Sequence, residues 1–248
     1  MLRALGQLAV RQGDLDGAER LYRESLALYR ELDDARGSAY LQTNLALLEM
    51  ARGRYADAEP LLEKCADLAR AVGEPFLVAV NLGNLAIVAH ARGDSEAAAP
   101  LFEESLTLAR EVGDLFLESH ILSHKGRAEH SDGDLVSAEA SFVESLAIAR
   151  ELADPFATMW ALERFAELAA AKHAYERAAT ILGAAAHVRK EIGLSLPLHD
   201  ECEHTRVAAA TRAALGDDAF DQAWREGSAM ELEDAVRYAL NGRSTANT

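Results

Sequence analysis

The segment Gly133-Asp134-Leu135-Val136-Ser137-Ala138 recurs, altered in detail but not in register, along most of this 248-residue chain. Forty residues earlier stands Gly93-Asp94-Ser95-Glu96-Ala97-Ala98. Two further steps back give Gly53-Arg54-Tyr55-Ala56-Asp57-Ala58 and Gly13-Asp14-Leu15-Asp16-Gly17-Ala18, and one step forward gives His173-Ala174-Tyr175-Glu176-Arg177-Ala178. Self-similarity at such an interval means stacked supersecondary units, none of which can bury its apolar face alone.

The columns of the repeat say what those units are. Four residues after each Ala comes a large apolar side chain, Tyr22, Leu62, Phe102, Phe142 or Leu182, and three later a small one, Ser25, Cys65, Ser105, Ser145 or Ala185. Leu28, Leu68, Leu108, Ile148 and Val188 continue the series, followed by Leu32, Val72, Val112, Leu152 and Ile192. Steps of three and four along one face mark an amphipathic helix, so a second helix begins just after each turn. A first helix precedes the turn, with Leu5, Leu45, Leu85 and Phe165 in one column and Gly6, Ala46, Ala86, Gly126 and Ala166 in the next. In the fourth unit Lys125 stands in the large apolar column, an expected disturbance of local packing. Asp34, Glu74, Asp114 and Asp154 mark the junctions, where an acid favours the start of the next helix, and Pro75 and Pro155 suit its first position. The ladder Arg30, Arg70, Arg110, Arg150 and Lys190 closes the second helices and is expected to lie near those junction acids. No segment reads as a strand.

Ala98, Phe102 and Ser105, with Leu85 and Ala86 in the preceding helix, resemble the tetratricopeptide repeat, and the likeness extends over residues 1–193. That family uses a period of about thirty-four residues, so a period of forty implies longer helices or longer junctions. HEAT and armadillo units have a closer period but lack this alanine and aromatic pattern. The resemblance implies an all-α fold: a right-handed α-α solenoid of five helical hairpins with a C-terminal helical cap. The expected division is a solenoid over 1–193, capping helices over 194–241 and a disordered tail over 242–248. Met1 falls several residues inside a first helix, so that helix is expected to be truncated. Its apolar edge, Leu2, Leu5 and Leu8, then calls for a longer natural chain or a covering protein.

Composition narrows the function. The chain is 50% apolar and carries 25 basic against 41 acidic residues, a formal net charge of −16. A phosphate backbone is repelled by such a balance, and no cluster of Lys and Arg offsets it, so direct nucleic-acid binding is not expected. Without a membrane-length apolar run or a signal peptide, the chain reads as soluble and cytoplasmic. Cys65 and Cys202 form no disulfide framework.

In tetratricopeptide proteins the first helices line a concave groove. By that resemblance the ladder Asn44, Asn84, His124 and Arg164, with Arg127, is expected to contact a ligand. Tyr40, His120 and Trp160 lie one turn earlier, and Tyr40 and Trp160 serve as apolar platforms. Amides beside aromatic walls suit a peptide or a protein segment. His120 and His124 also have the spacing of two metal ligands, with Glu129 the convenient third, and His199, Cys202 and His204 form a second cluster. For both, surface residues without a metal are the preferred reading. No nucleophile-base arrangement and no glycine-rich phosphate loop is present, so neither an enzyme nor a bound cofactor is expected.

In the fifth unit Gly183 is read as interrupting the second helix. Beyond it the run Ala179-Thr180-Ile181-Leu182-Gly183-Ala184-Ala185 leads to Ile192-Gly193-Leu194-Ser195-Leu196-Pro197, then to Ala214-Leu215-Gly216 and Leu232-Glu233-Asp234-Ala235-Val236. This end resembles the C-terminus of actinobacterial multidomain transcriptional regulators, which join a switch ATPase, a tetratricopeptide sensor and often a DNA-binding domain of the LuxR or SARP type. The resemblance implies a sensor or interaction part of a larger signalling regulator, partnered by a protein or peptide segment and by a switch ATPase domain on the N-terminal side. The alternative is a self-association module, a homodimer with an empty groove.

Overall fold

A residue of left-handed backbone stands every twenty positions, and it sets the length of every helix in the repeat. Gly13, Gly53, Gly73, Gly93, Gly113, Gly133 and Gly193 have φ between 65° and 84°, and Asp33, Ala153 and His173 occupy the same register at φ 54°, 48° and 59°. At each turn from Gly13 to His173 the next residue donates its N–H back to the carbonyl five positions earlier, as Asp34 does to Tyr29 at 2.9 Å and Asp94 to Ala89 at 3.0 Å. This is the paired bonding that ends a helix on a left-handed residue. The period of forty is therefore two helices and two identical turns. The repeat lengthens the helices, most of them 17 residues, rather than the junctions.

The computed structural model describes the backbone of residues 1–193 and 198–241 and, apart from Arg11 and 198–203, their side chains. The expected tail over 242–248 and the segment Leu194–Pro197 lie outside the described residues. Within them the chain is all-α: α1 (Leu2–Arg11), α2 (Leu15–Glu31), α3 (Ala35–Ala51), α4 (Tyr55–Ala71), α5 (Pro75–Ala91), α6 (Ser95–Val112), α7 (Leu115–Ser131), α8 (Leu135–Glu151), α9 (Pro155–Ala171), α10 (Tyr175–Glu191), α11 (Leu198–Leu215), α12 (Asp217–Ser228) and α13 (Leu232–Asn241).

Aspartate after the left-handed residue starts the next helix. Asp14, Asp34, Asp94, Asp114 and Asp134 each accept a backbone N–H three residues on, at 2.8 to 3.0 Å. Such a bond satisfies one of the amides that a helix N-terminus leaves without a partner. At Asp134 the Ser137 amide, with help from the Ser137 hydroxyl, holds the carboxyl below its ordinary pKa. The longer Glu74 makes no such cap and instead meets Arg36 at 2.6 Å. Two members of the Arg ladder pair away from the junction acids: Arg70 meets Asp67 and Glu104, and Arg150 meets Glu233. An arginine on the last turn reaches along its own helix or across to the next second helix more readily than over the turn.

The chain folds as two compact units, Met1–Leu117 and Glu118–Thr248. In both, the second helices bury the predicted small and large columns. Ala18, Ala58, Ala98, Ala138 and Ala178 are at most 1% exposed, and Tyr22, Leu62, Phe102, Phe142 and Leu182 at most 3%. The continuation of the stripe is followed only in part: Ile148 and Val188 are buried as expected, but Leu28, Leu32 and Leu152 are exposed, and Leu26, Leu106, Leu146 and the alanines Ala69, Ala109 and Ala149 are buried beside the large column. At 3.6 residues per turn, positions 26 and 29 stay beside position 22, whereas 28 turns toward the flank and 32 has left the helix.

The Gly and Ala column of the first helices answers the large column of the second. A Cβ on Gly6 would stand 2.3 Å from the Tyr22 ring, and one on Gly126 2.5 Å from the Phe142 ring. The glycines thus leave room for the aromatics. Lys125, the anomaly of the apolar column, keeps its ammonium 2.7 Å from Glu129, whose other carboxylate oxygen accepts from the Ser141 hydroxyl at 2.7 Å. A half-buried charge is tolerated here because it is paired and hydrogen-bonded.

In the second unit α11, α12 and α13 pack on α9 and α10, burying Val207, Phe220, Ala223, Val236 and Ala239. Contrary to the sequence reading, Gly183 does not interrupt a helix, for α10 is continuous across it. A Cβ there would lie 2.2 Å from the Trp224 carbonyl oxygen, and one on Gly227 would lie 1.8 Å from that of Thr180. The two glycines let the backbones of α10 and α12 touch, and Ser228 donates to the Gly183 carbonyl at 3.1 Å.

Two outcomes follow for equilibrium unfolding. Ala153→Gly removes a Cβ from the left-handed region and should stabilise the chain by about 1 kcal/mol. Gly126→Ala should destabilise it by about 1–3 kcal/mol, because overpacking against the buried Phe142 ring exceeds the roughly 1 kcal/mol gain in helix propensity.

Candidate functional site

In the first unit the polar and aromatic ladder sits on α3 and α5. Leu41 and Asn81 in one column, and Ala46 and Ala86 in another, are fully buried. Tyr40, Asn44, Val80 and Asn84 between them remain half-buried. The two first helices are tied side by side by the buried Asn81 amide, which donates to the Thr43 hydroxyl at 3.1 Å and to the Leu77 carbonyl at 2.7 Å. Their open face is therefore held in fixed register. On it Asn84 donates to the Val80 carbonyl at 2.7 Å, one turn back on its own helix, which orients its amide. Tyr40 lies parallel to Phe76, ring centroids 6.3 Å apart and 25° between planes, and the Arg3 guanidinium stands 5.3 Å above the Tyr40 ring. An intramolecular cation thus already occupies one side of the expected platform.

The aromatic content of this face exceeds what the ladder predicted. Phe76 and Phe116 share a register at the start of α5 and α7, and Phe116 is 61% exposed. In the second unit Phe156 holds the same register, 45% exposed. The signal was available in the sequence, since all three follow a junction acid by two residues, but an aromatic inside a helix start reads first as core.

The second unit carries the remaining candidates on α7 and α9. The rings of His120 and His124 are in contact, centroids 4.6 Å apart and tilted by 56°. His120 is exposed, and partial desolvation by the neighbouring protein atoms lowers its pKa below the ordinary imidazole value. A neutral ring beside a second imidazole avoids like-charge repulsion. Arg127 and Trp160 are half-buried. Arg164 is 4% exposed, its guanidinium 2.9 Å from the Glu167 carboxylate. Next to it Glu163, 3% exposed, accepts from His204 at 2.8 Å and from Arg189 at 3.4 Å, linking α9 to α10 and α11. This buried ionic group was missed because its members lie far apart in sequence.

Glu129, the expected third ligand beside the histidine pair, is engaged by Lys125 and Ser141. The side chains of His199 and Cys202 lie outside the described residues, and His204 faces Glu163. Among the described residues no three His, Cys, Asp or Glu side chains converge as a metal site. Among them, too, no helix is long and apolar enough to cross a membrane. The face on α3 and α5 offers amide donors and acceptors beside aromatic rings, the chemistry that binds an extended main chain and its side chains.

Comparison with known proteins gives this architecture relatives. Residues 1–32 and 37–111 match family models described as tetratricopeptide repeat. Over 83 residues the chain is 34% identical to proteins carrying the name HTH-type transcriptional regulator in Mycobacterium bovis and Mycobacterium tuberculosis. That stretch is 34% of this chain and only 9% of the length of each regulator. Among solved structures, a signal transduction ATPase with numerous domains and a tetratricopeptide repeat sensor from Pyrococcus horikoshii superposes with TM-score 0.68 and 16% identity, over 96% of this chain and 37% of that one. BtubC from P. vanneervenii superposes with TM-score 0.62 and 22% identity, over 79% of this chain and 81% of that one. At these identities the structural likeness establishes the fold, an α-solenoid of tetratricopeptide type.

Arg164 is sealed beside Glu167, and its loss should be felt in stability first. Arg164→Ala should destabilise the chain by about 3 kcal/mol in denaturant titration, because it removes the guanidinium that faces the buried Glu167 carboxylate. An Arg164→Met, Glu167→Leu double variant should recover most of that loss.

Proposed function

Because the chain carries tetratricopeptide repeats, we propose that it is a non-catalytic protein-interaction scaffold, the sensor part of a larger cytoplasmic regulator of actinobacterial type. Its ligand is a peptide or an extended protein segment, held on the open face of the first helices. Tyr40, Asn44 and Asn84 act in the first unit, and His120, His124, Arg127 and Trp160 in the second. Arg164 supports that face from below through its pair with Glu167. Residues 1–193 form the stack and residues 194–241 its cap.

The observation that carries this reading is the contrast on α3 and α5. Columns on either side are sealed, while the amides of Asn44 and Asn84 stay within reach of solvent in one register. Side-chain amides spaced along parallel helices can hydrogen-bond successive peptide groups of an extended ligand, and Tyr40 with Phe76 adds apolar contact. The identity to mycobacterial regulators supports a place in transcriptional control. A switch ATPase domain is the partner that such an arrangement implies on the N-terminal side, with ligand capture altering the contacts between scaffold and switch.

Panning a random peptide display library against the whole chain tests this. Selected peptides should bind the unaltered chain and lose at least about tenfold in affinity to an Asn44→Ala, Asn84→Ala variant, the cost of one to two hydrogen bonds. Failure to enrich any sequence, or binding indifferent to both substitutions, overturns the proposal.

A further inference from the structure

Two arginines of the chain itself indicate what the aromatic edge of the first helices can hold. The junction acid and the residue two places on form one register: Asp34 with Arg36, Glu74 with Phe76, Asp114 with Phe116 and Asp154 with Phe156. Arg36, standing where the other hairpins have phenylalanine, brings its guanidinium to the Glu74 carboxylate at 2.6 Å. The Arg3 guanidinium lies 5.3 Å above the Tyr40 ring, which is itself stacked on Phe76. One guanidinium is thus held by a carboxylate and the other by an aromatic face. Those are the two contacts that suit a flat, delocalised cation.

One register on, the acid and the ring recur, but the residue in the place of Arg36 is Phe76, which carries no charge. Asp114 accepts the Leu117 amide at Oδ1 at 2.8 Å, and Phe116 is 61% exposed. In the second unit Asp154 accepts the amides of Phe156 and Ala157 at Oδ1, at 2.8 and 3.3 Å, and Phe156 is 45% exposed. A carboxylate has two oxygens and several acceptor positions, so capping a helix leaves each acid able to take a guanidinium as well. The formal charge of −16 favours a cationic visitor over an anionic one.

We propose that Asp114 with Phe116, and Asp154 with Phe156, each receive an arginine side chain of a bound peptide, the carboxylate accepting from the guanidinium while the ring lies against its plane. This rests on the reading that the open face of the first helices holds an extended segment, and it adds the chemistry of that segment. Lysine fits less well, because a compact ammonium offers neither a flat face nor a fork of donors.

Calorimetric titration of the full chain with hexa-arginine, hexa-lysine and the uncharged hexa-citrulline tests this. Hexa-arginine should bind at least about fivefold more tightly than hexa-lysine, and far more tightly than hexa-citrulline. The pair Asp114→Asn, Asp154→Asn keeps both caps, since Asn caps a helix as well as Asp does. The pair Phe116→Leu, Phe156→Leu keeps the apolar surface without the ring. Each pair should weaken hexa-arginine binding at least about threefold. Glu24→Gln with Glu63→Gln removes the same charge as the Asp pair from exposed positions on α2 and α4, and should change the affinity by less than about twofold. Equal losses in all three paired variants, or equal affinity for arginine and lysine, would mean that overall charge attracts the peptide and would overturn the proposal. Absence of binding would overturn it too, and so would free L-arginine binding as tightly as the hexapeptide, which would give the site to the amino acid. Binding that ignores the Asp and Phe pairs but falls with Asn44→Ala, Asn84→Ala would overturn it while leaving the reading of the open face standing. Indifference to that pair as well would overturn both.

Discussion

A helix that ends on a left-handed residue, with the following amide bonded back across the turn, repeats every twenty positions, and at most of these turns an aspartate caps the next helix. That geometry decides the rest. Equal turns give helices of equal length. Equal lengths let each column of the repeat meet the same column of its neighbour, so that one small residue can face one large residue again and again. Where the left-handed position holds Ala153 or His173 instead of glycine, the surrounding turn imposes the conformation and the chain carries the strain.

Packing then follows from volume rather than from strict identity. Gly6 faces Tyr22 and Gly126 faces Phe142, while the units with alanine in the first helix hold Leu62 or Phe102. The same device reappears where the repeat has stopped. Gly183 and Gly227 bring α10 and α12 into backbone contact, and the helices beyond residue 197 dock on the fifth hairpin. A residue that looks like a helix breaker in sequence is there because a carbonyl oxygen needs its space.

The polar features divide by solvent access. Asn44, Asn84 and Tyr40 keep contact with water and are the residues on which recognition is proposed. Asn81, Glu163, Arg164 and Glu167 are buried; Asn81 bonds to Thr43 on α3 and Glu163 to Arg189 and His204 on α10 and α11, fixing which helix lies beside which, while Arg164 and Glu167 pair along α9. Sequence position alone does not separate these groups: Asn81 and Asn84 are three residues apart on one helix, and only one of them faces out.

The all-α class, the period, the hairpin count and the inward alanine and aromatic columns were determined by the sequence itself, because they depend on local spacing and on the turn chemistry of glycine and aspartate. Tertiary structure alone decided the remainder. Leu28 and Leu32 left the buried stripe because the helix rotates past it and then ends. Lys125 found Glu129 and Ser141, Arg164 turned inward to Glu167, and Glu163 drew His204 from forty-one residues away. Lys125 with Glu129 and Arg164 with Glu167 share a helix at spacings of four and three, but which of these faces is buried, and that Ser141 reaches Glu129 and His204 reaches Glu163 from other helices, depends on packing that periodicity along one helix does not record.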